Sequence, residues 1–154
     1  MERVVKRLIE LNKTISTMES CTGGALANEI TNIPNASKVI NFSAITYSNE
    51  YKIKMGVDSE LINKYSVYSI EVARDMAKKI ASFTNSNYGV GITGKLKKID
   101  ENNLYGELDE VFLSIYDSNM NKYYDLKIKL HFDTRSDNKK QIINEFINKF
   151  LKII

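Results

Sequence analysis

A three-layer α/β/α domain, with helices on both faces of a mixed and mostly parallel sheet, is what this sequence predicts, and three observations carry the prediction. Short β-branched runs alternate with helical patterns as far as Gly94. Two apolar runs near the C-terminus flank a polar turn, which is the pattern of a hairpin. The segment from Ser136 to Ile154 closes the chain with an amphipathic helical pattern. Strands separated by helices pair in parallel and bury both faces, whereas a hairpin adds antiparallel strands to the same sheet.

Taken in order, Val4, Val5, Leu8 and Ile9 have helical spacing, and "KTISTM" after them reads as a strand. "ALANEI" favours helix and stops before "TNIPNAS", where Pro34 and its flanking asparagines mark a loop. "KVINFSAITYS" (Lys38 to Ser48) predicts a second strand ending near Tyr47, followed by a short helix around Asn49 to Met55. "DSELINKYS" is a capped short helix, and "SIEVARDMAKKIASF" is a longer one with Val72, Met76, Ile80 and Phe83 on one face. "YGVGIT" predicts a buried strand, and "EVFLSIYD" and "YYDLKIKLHF" predict the two hairpin strands around "SNMNK". The least structured-looking segment, "GKLKKIDENNLYGELD", is the place for a mobile loop.

At 154 residues the chain has room for one domain with a real core, so residues 1–154 read as a single unit. One cysteine rules out an internal disulfide, and one histidine leaves no basis for a zinc site, so no metal is expected. The net charge of +3 comes from basic residues spread thinly, which argues against nucleic acid as a partner. No apolar run is long enough to span a bilayer and the N-terminus is unlike a signal peptide, so no membrane association and a cytoplasmic location are the expectations. Ile142, Ile143, Phe146, Ile147 and Phe150 crowd an apolar surface broader than one core-facing stripe requires, which predicts a homodimer or other homo-oligomer.

Within the segment "TMESCTGGALANEI" (Thr17 to Ile30), the residues Glu19 to Gly24 place a carboxylate, two hydroxyls, the one thiol and two glycines at a strand-to-helix turn. Backbone N–H groups at such a turn welcome anions and can stabilise an oxyanion if a nucleophile lies beside them. Ser20 is placed for that nucleophile, with Thr22 to orient it or donate to substrate; the competing reading makes Ser20 or Thr22 a helix cap. A serine needs a base. His131 alternates with Lys127 and Lys129 on what should be a solvated strand face, a poor position for one. "TYSNEYKIK" offers Lys52 and Lys54 beyond a strand end, with Tyr47 at that end, and adjacent parallel strand ends share an edge that brings such groups together.

"ESCTGGALA", "ITYSNEYK", "SIEVARDMA" and "GVGITG" occur in the order and spacing of the CinA C-terminal domain family, which includes the nicotinamide mononucleotide deamidases (PncC), and the chain resembles it over nearly its whole length. The resemblance implies hydrolysis of the carboxamide of nicotinamide mononucleotide to nicotinic acid mononucleotide and ammonia, in pyridine nucleotide recycling, without a cofactor. By position it makes Ser20 the nucleophile, Lys52 its base and Tyr47 an assisting hydroxyl. Cys21, Thr22, Gly23, Gly24, Thr93, Gly94 and Arg135 become substrate-binding positions. A residue fewer after "YSNEYK" leaves Lys54 as the rival for the base, and Lys139 stands where the family has a second arginine.

The family's glycine- and proline-rich loop after "GITG" is here "KLKKIDENNLYGELDEV", in which Lys95, Lys97 and Lys98 offer cations to a phosphate and Gly106 matches the glycine before the next strand. Two other functions therefore stand beside the deamidase. One is a catalytically degenerate nucleotide-binding or assembly module, and the other an amidase for a related carboxamide. The family is often fused to another domain; this chain is expected to act as a stand-alone subunit.

Overall fold

Every residue from Met1 to Ile154 is described by the computed structural model. The elements are α1 (Glu2–Glu10), β1 (Ile15–Glu19), α2 (Ala25–Thr31), β2 (Ser43–Ile45), α3 (Asn49–Lys54), α4 (Ser59–Tyr65), α5 (Ile70–Thr84), β3 (Tyr88–Gly94), β4 (Glu110–Asp117), β5 (Lys122–Lys129) and α6 (Arg135–Phe150). The five strands form one mixed sheet in the order β2-β1-β3-β4-β5. β1 pairs in parallel with β2 and β3, while β4 runs antiparallel to both β3 and β5. The expected three layers and the hairpin are present.

Strand alternation sorts the layers. Ile15 on β1, Tyr88, Val90 and Ile92 on β3, and Val111, Leu113 and Ile115 on β4 pack against α1, α2 and α6. The opposite face receives Met18, which packs with Val57, Ile62, Val67, Val72, Met76 and Ile80 from α4, α5 and their flanks. α5 lies so close to β3 that a Cβ on Gly89 or Gly91 would fall 2.0 Å from the Ala77 carbonyl oxygen or 2.1 Å from that of Ala73. That explains the glycines of "YGVGIT", which clear the sheet for the small Ala73, Ala77 and Ala81 at the centre of the helix face.

Three local expectations change. The second strand keeps only Ser43–Ile45, because the chain after Pro34 takes left-handed Asn35 and a single 3-10 turn at Ala36–Lys38. Val39 and Ile40 are nevertheless buried. Phe83 lies on the flank of the α5 stripe, whose centre is the alanine ridge; it is exposed and meets Phe42 with ring centroids 5.4 Å apart. On α6, Ile142, Ile143, Phe146 and Phe150 are all consumed in the core under α1 and the sheet. The breadth of that face is therefore a requirement of this chain's own packing, and it no longer argues for a second copy. No helix is long and apolar enough to cross a membrane.

Candidate active site

The carboxyl ends of the three parallel strands β1, β2 and β3 meet at one edge of the sheet, the place where open α/β folds build their sites. Ser20 follows β1 there, and its N–H donates to the Ile92 carbonyl at 3.0 Å while the Glu19 carbonyl accepts from Thr46 N–H at 2.8 Å. The nucleophile candidate is thus pinned between both neighbouring strands. A turn through Gly23 (φ +62°) and Gly24 (φ +90°) then leads into α2.

Lys52 comes from α3, whose first turn is capped by Ser48 accepting from Tyr51 N–H. Its side chain runs inward, 1% exposed, and ends 3.1 Å from Ser20 Oγ and 2.8 Å from the Thr46 carbonyl oxygen. Burial pulls its pKa down to about 8, against a weaker opposing effect of Cys21 and Asp100. Removing an ammonium from water disfavours its charged form, which is how a lysine becomes available as a base near neutrality. Lys54, the rival, is exposed and paired with Glu50 at 2.5 Å. Helical periodicity makes the choice: two residues apart on α3, the side chains point about 200° apart.

A cleft of about 850 Å³ opens from Ser20 and Cys21 past Tyr47, Gly94 and Arg135. Its far wall is the loop after β3. There Tyr68 Oη donates to Asp100, Asn103 Nδ2 donates to the same carboxylate at 2.8 Å, and Asn49 Nδ2 donates to Asn103 Oδ1 at 2.8 Å. Lys95, buried, donates to the Leu104 carbonyl at 2.9 Å and lies over the Tyr68 ring. Hydrogen bonds to Asp100 outweigh the effect of its burial and hold its pKa below the usual carboxylate value, whereas burial and Asp100 push the Tyr68 phenol up. Lys98 lines the cleft, and Lys97 turns toward Asp133.

Several expected positions are placed differently. Tyr47 is 65% exposed, and its hydroxyl accepts from Arg135 Nη2 at 3.3 Å, making no hydrogen bond with Ser20 or Lys52. Arg135 also donates to the Leu96 carbonyl at 3.1 Å, which ties the start of α6 to the loop. Thr93 does not reach the cleft. It falls on the α5 face of β3 by strand parity and donates to the Val67 carbonyl at 2.9 Å.

Neither Ser20 nor Thr22 caps α2, whose N-cap is Gly24. Thr22 donates instead to Glu19, at 2.7 Å, as does Gly24 N–H at 3.1 Å. A side chain on Gly23 would come within 3.4 Å of Lys139 Nζ. Cys21 borders the cleft but is buried, and burial pushes its thiol up to about 12. It is therefore held as the protonated, poorly nucleophilic form. His131 is exposed beyond the end of β5, away from the cleft.

Sequence reasoning gave the buried Glu19 no place at the turn and missed the wall formed by Tyr68, Asp100, Asn49 and Asn103. Glu19 had a signal, a carboxylate closing a strand just before a helix start; the wall joins distant segments and had none.

The model of the CinA C-terminal domain matches residues 1–103. A competence-damage inducible protein of Alkaliphilus oremlandii (strain OhILAs) is 47% identical over 94 residues, 60% of this chain and 23% of that relative. One from Clostridium botulinum (strain ATCC 19397 / Type A) is also 47% identical over 94 residues, with the same shares. The matched stretch thus spans under a quarter of these relatives. Among solved structures, a CinA superfamily protein of Escherichia coli superposes with a TM-score of 0.89 at 21% identity, over 99% of this chain and 87% of the other. A competence/damage inducible protein of Agrobacterium tumefaciens gives 0.84 at 23% identity, over 98% and 93%. These superpositions carry the fold through the hairpin and α6, beyond the family match. From its first helix into the loop after β3, this chain belongs to the CinA C-terminal domain family.

Proposed function

We propose that this protein is an amidohydrolase that converts the carboxamide of nicotinamide mononucleotide to the carboxylate, with release of ammonia, using Ser20 as nucleophile and Lys52 as base. The observation that carries the reading is the buried Lys52 Nζ 3.1 Å from Ser20 Oγ, with its pKa lowered to about 8. In its neutral form Lys52 takes the Ser20 proton as Oγ attacks the amide carbon. The N–H groups of Cys21 and Thr22, which donate to no acceptor within the chain, are the candidates to hold the oxyanion. Lys52 then returns the proton to the departing nitrogen, ammonia leaves, and water activated by the same lysine cleaves the acyl-Ser20 ester. Arg135 and Lys98 supply positive charge along the cleft for the phosphate.

Ammonia release from nicotinamide mononucleotide by the purified protein tests the reading, run beside Ser20→Ala. The expected result is turnover by the parent and a loss of at least about a hundredfold in the variant. The rate, kcat/KM, should rise with pH along a limb centred near 8, as Lys52 loses its proton. Absence of turnover by the parent, with related carboxamide nucleotides also inert, would leave the binding-module reading in its place.

A further inference from the structure

Glu19 is 0% exposed, and none of the chain's ion pairs includes it. Its carboxylate is satisfied wholly by N–H and O–H donors. Oε1 accepts from Thr17 Oγ1 at 3.1 Å and Ala27 N–H at 2.9 Å. Oε2 accepts from Thr22 Oγ1 at 2.7 Å and from the N–H groups of Gly24 and Leu26, both at 3.1 Å. The amides that a strand-to-helix turn would offer to a bound anion are therefore already taken, by the residue adjacent to the nucleophile. The Cys21 and Thr22 amides are left over, between Ser20 and the anchored Thr22 side chain.

We infer that Glu19 is the positioning residue of the nucleophile turn: its carboxylate fills the amide cradle at the start of α2 and so fixes the backbone that carries Ser20 and the two free N–H groups. Two consequences follow. The substrate's own anion is kept out of that cradle and must be held by side-chain cations farther along the cleft. Disturbing Glu19 must also weaken the chemical step more than substrate binding, because the turn amides act on charge that develops only in the transition state.

This inference rests on Ser20 being the attacking group of the proposed amidase, and its test separates the two. Glu19→Gln keeps the size of the side chain but turns a donor toward donors. Thr22→Val removes one donor to the carboxylate while preserving shape. In ammonia release from nicotinamide mononucleotide, kcat is expected to fall about 10- to 100-fold in Glu19→Gln and about 5-fold in Thr22→Val, with KM within about 3-fold of the parent in both. The double variant should be no worse than Glu19→Gln alone, since both act through one contact.

Labelling of Ser20 by a fluorophosphonate, in which the serine oxygen displaces fluoride at phosphorus, is run in parallel and needs no amide substrate. If the parent labels at Ser20 but releases no ammonia, the amidase reading fails, and slower labelling of the two variants still supports the role of Glu19. If Glu19→Gln does not fold, judged by circular dichroism, the Thr22→Val arm decides. Parent-like kcat and labelling in the folded variants, a rise in KM with kcat retained, or a parent that neither turns over nor labels, each overturn the assignment.

Discussion

The two sides of the cleft are built on opposite principles. At the chemical end the two charged side chains are buried and answered by other groups of the chain: Glu19 by Thr17, Thr22 and three amides, and Lys52 by the Thr46 carbonyl and Ser20. All of it sits on strand ends or in the first turns of helices. The opposite wall is a loop whose tip exposes Ile99, Leu104 and Tyr105, and its shape depends on a few side-chain bonds among Tyr68, Asp100, Asn103 and Asn49. On the proposed reading the difference teaches that reactivity is set by desolvation and fixed dipoles, which need a rigid frame, while selection of the ligand is delegated to a segment that can change without disturbing that frame.

Lys52→Met should break the chemical end most severely, with activity down at least about a hundredfold. It also sharpens the comparison through stability. The lysine's pKa is lowered from 10.5 to about 8 in the folded chain, so between those values the unfolded chain binds more protons and parent stability rises with pH. Below pH 8 both states are protonated, and the cost of burying the charge is fully present. Denaturant titrations should thus find the parent gaining, relative to Lys52→Met, up to about 3 kcal/mol as pH climbs from 8 to 10.5. A flat difference across that window would mean the lysine is not desolvated as described.

Arg135→Ala comes next. It removes a cation from the cleft and the tie to the Leu96 carbonyl, and should raise KM on the order of tenfold with a smaller change in kcat, read by steady-state kinetics. Asp100→Asn acts chiefly on the loop wall. Loss of a charged acceptor shared by Tyr68 and Asn103 should raise KM about fivefold and move the pH limb only slightly below 8, since the Asp100 charge is a minor influence that raises the Lys52 pKa beside the dominant effect of burial. A larger shift of that limb, on the order of one pH unit, would mean that the wall sets the reactivity of the lysine as well. Cys21→Ala should be the mildest, within about threefold in kcat/KM and without loss of fluorophosphonate labelling, because the buried thiol stays protonated.

The layers, the hairpin and the meeting of Ser20 and Lys52 at the strand ends, where the candidate site lies, could be read from the sequence because each rests on local periodicity. Val4, Val5 and Leu8 mark a helix face on their own, and "YGVGIT" marks a buried strand whose glycines receive α5. Phe83 and the α6 face misled for a shared reason. Apolar residues state that they will be buried, but not against what, and only the packed core reveals that α6 is covered from within. Thr93 was misplaced by a question of parity, since the motif gives its position along β3 and not the face to which its hydroxyl is turned.

By itself the sequence determined the fold class, the family and the short roster of chemical groups: Ser20, Lys52 or Lys54, Tyr47 and Arg135. Those follow from residue order and from the periods of 3.6 and 2 that govern helices and strands. The tertiary structure decided which lysine is buried against Ser20, that Glu19 rather than a ligand fills the amide cradle, and that Tyr68 and Asp100, 32 residues apart, form one wall. Burial, hydrogen-bond partnership and a shifted pKa are properties of the space around a side chain, and that space is assembled from segments that sequence order keeps apart.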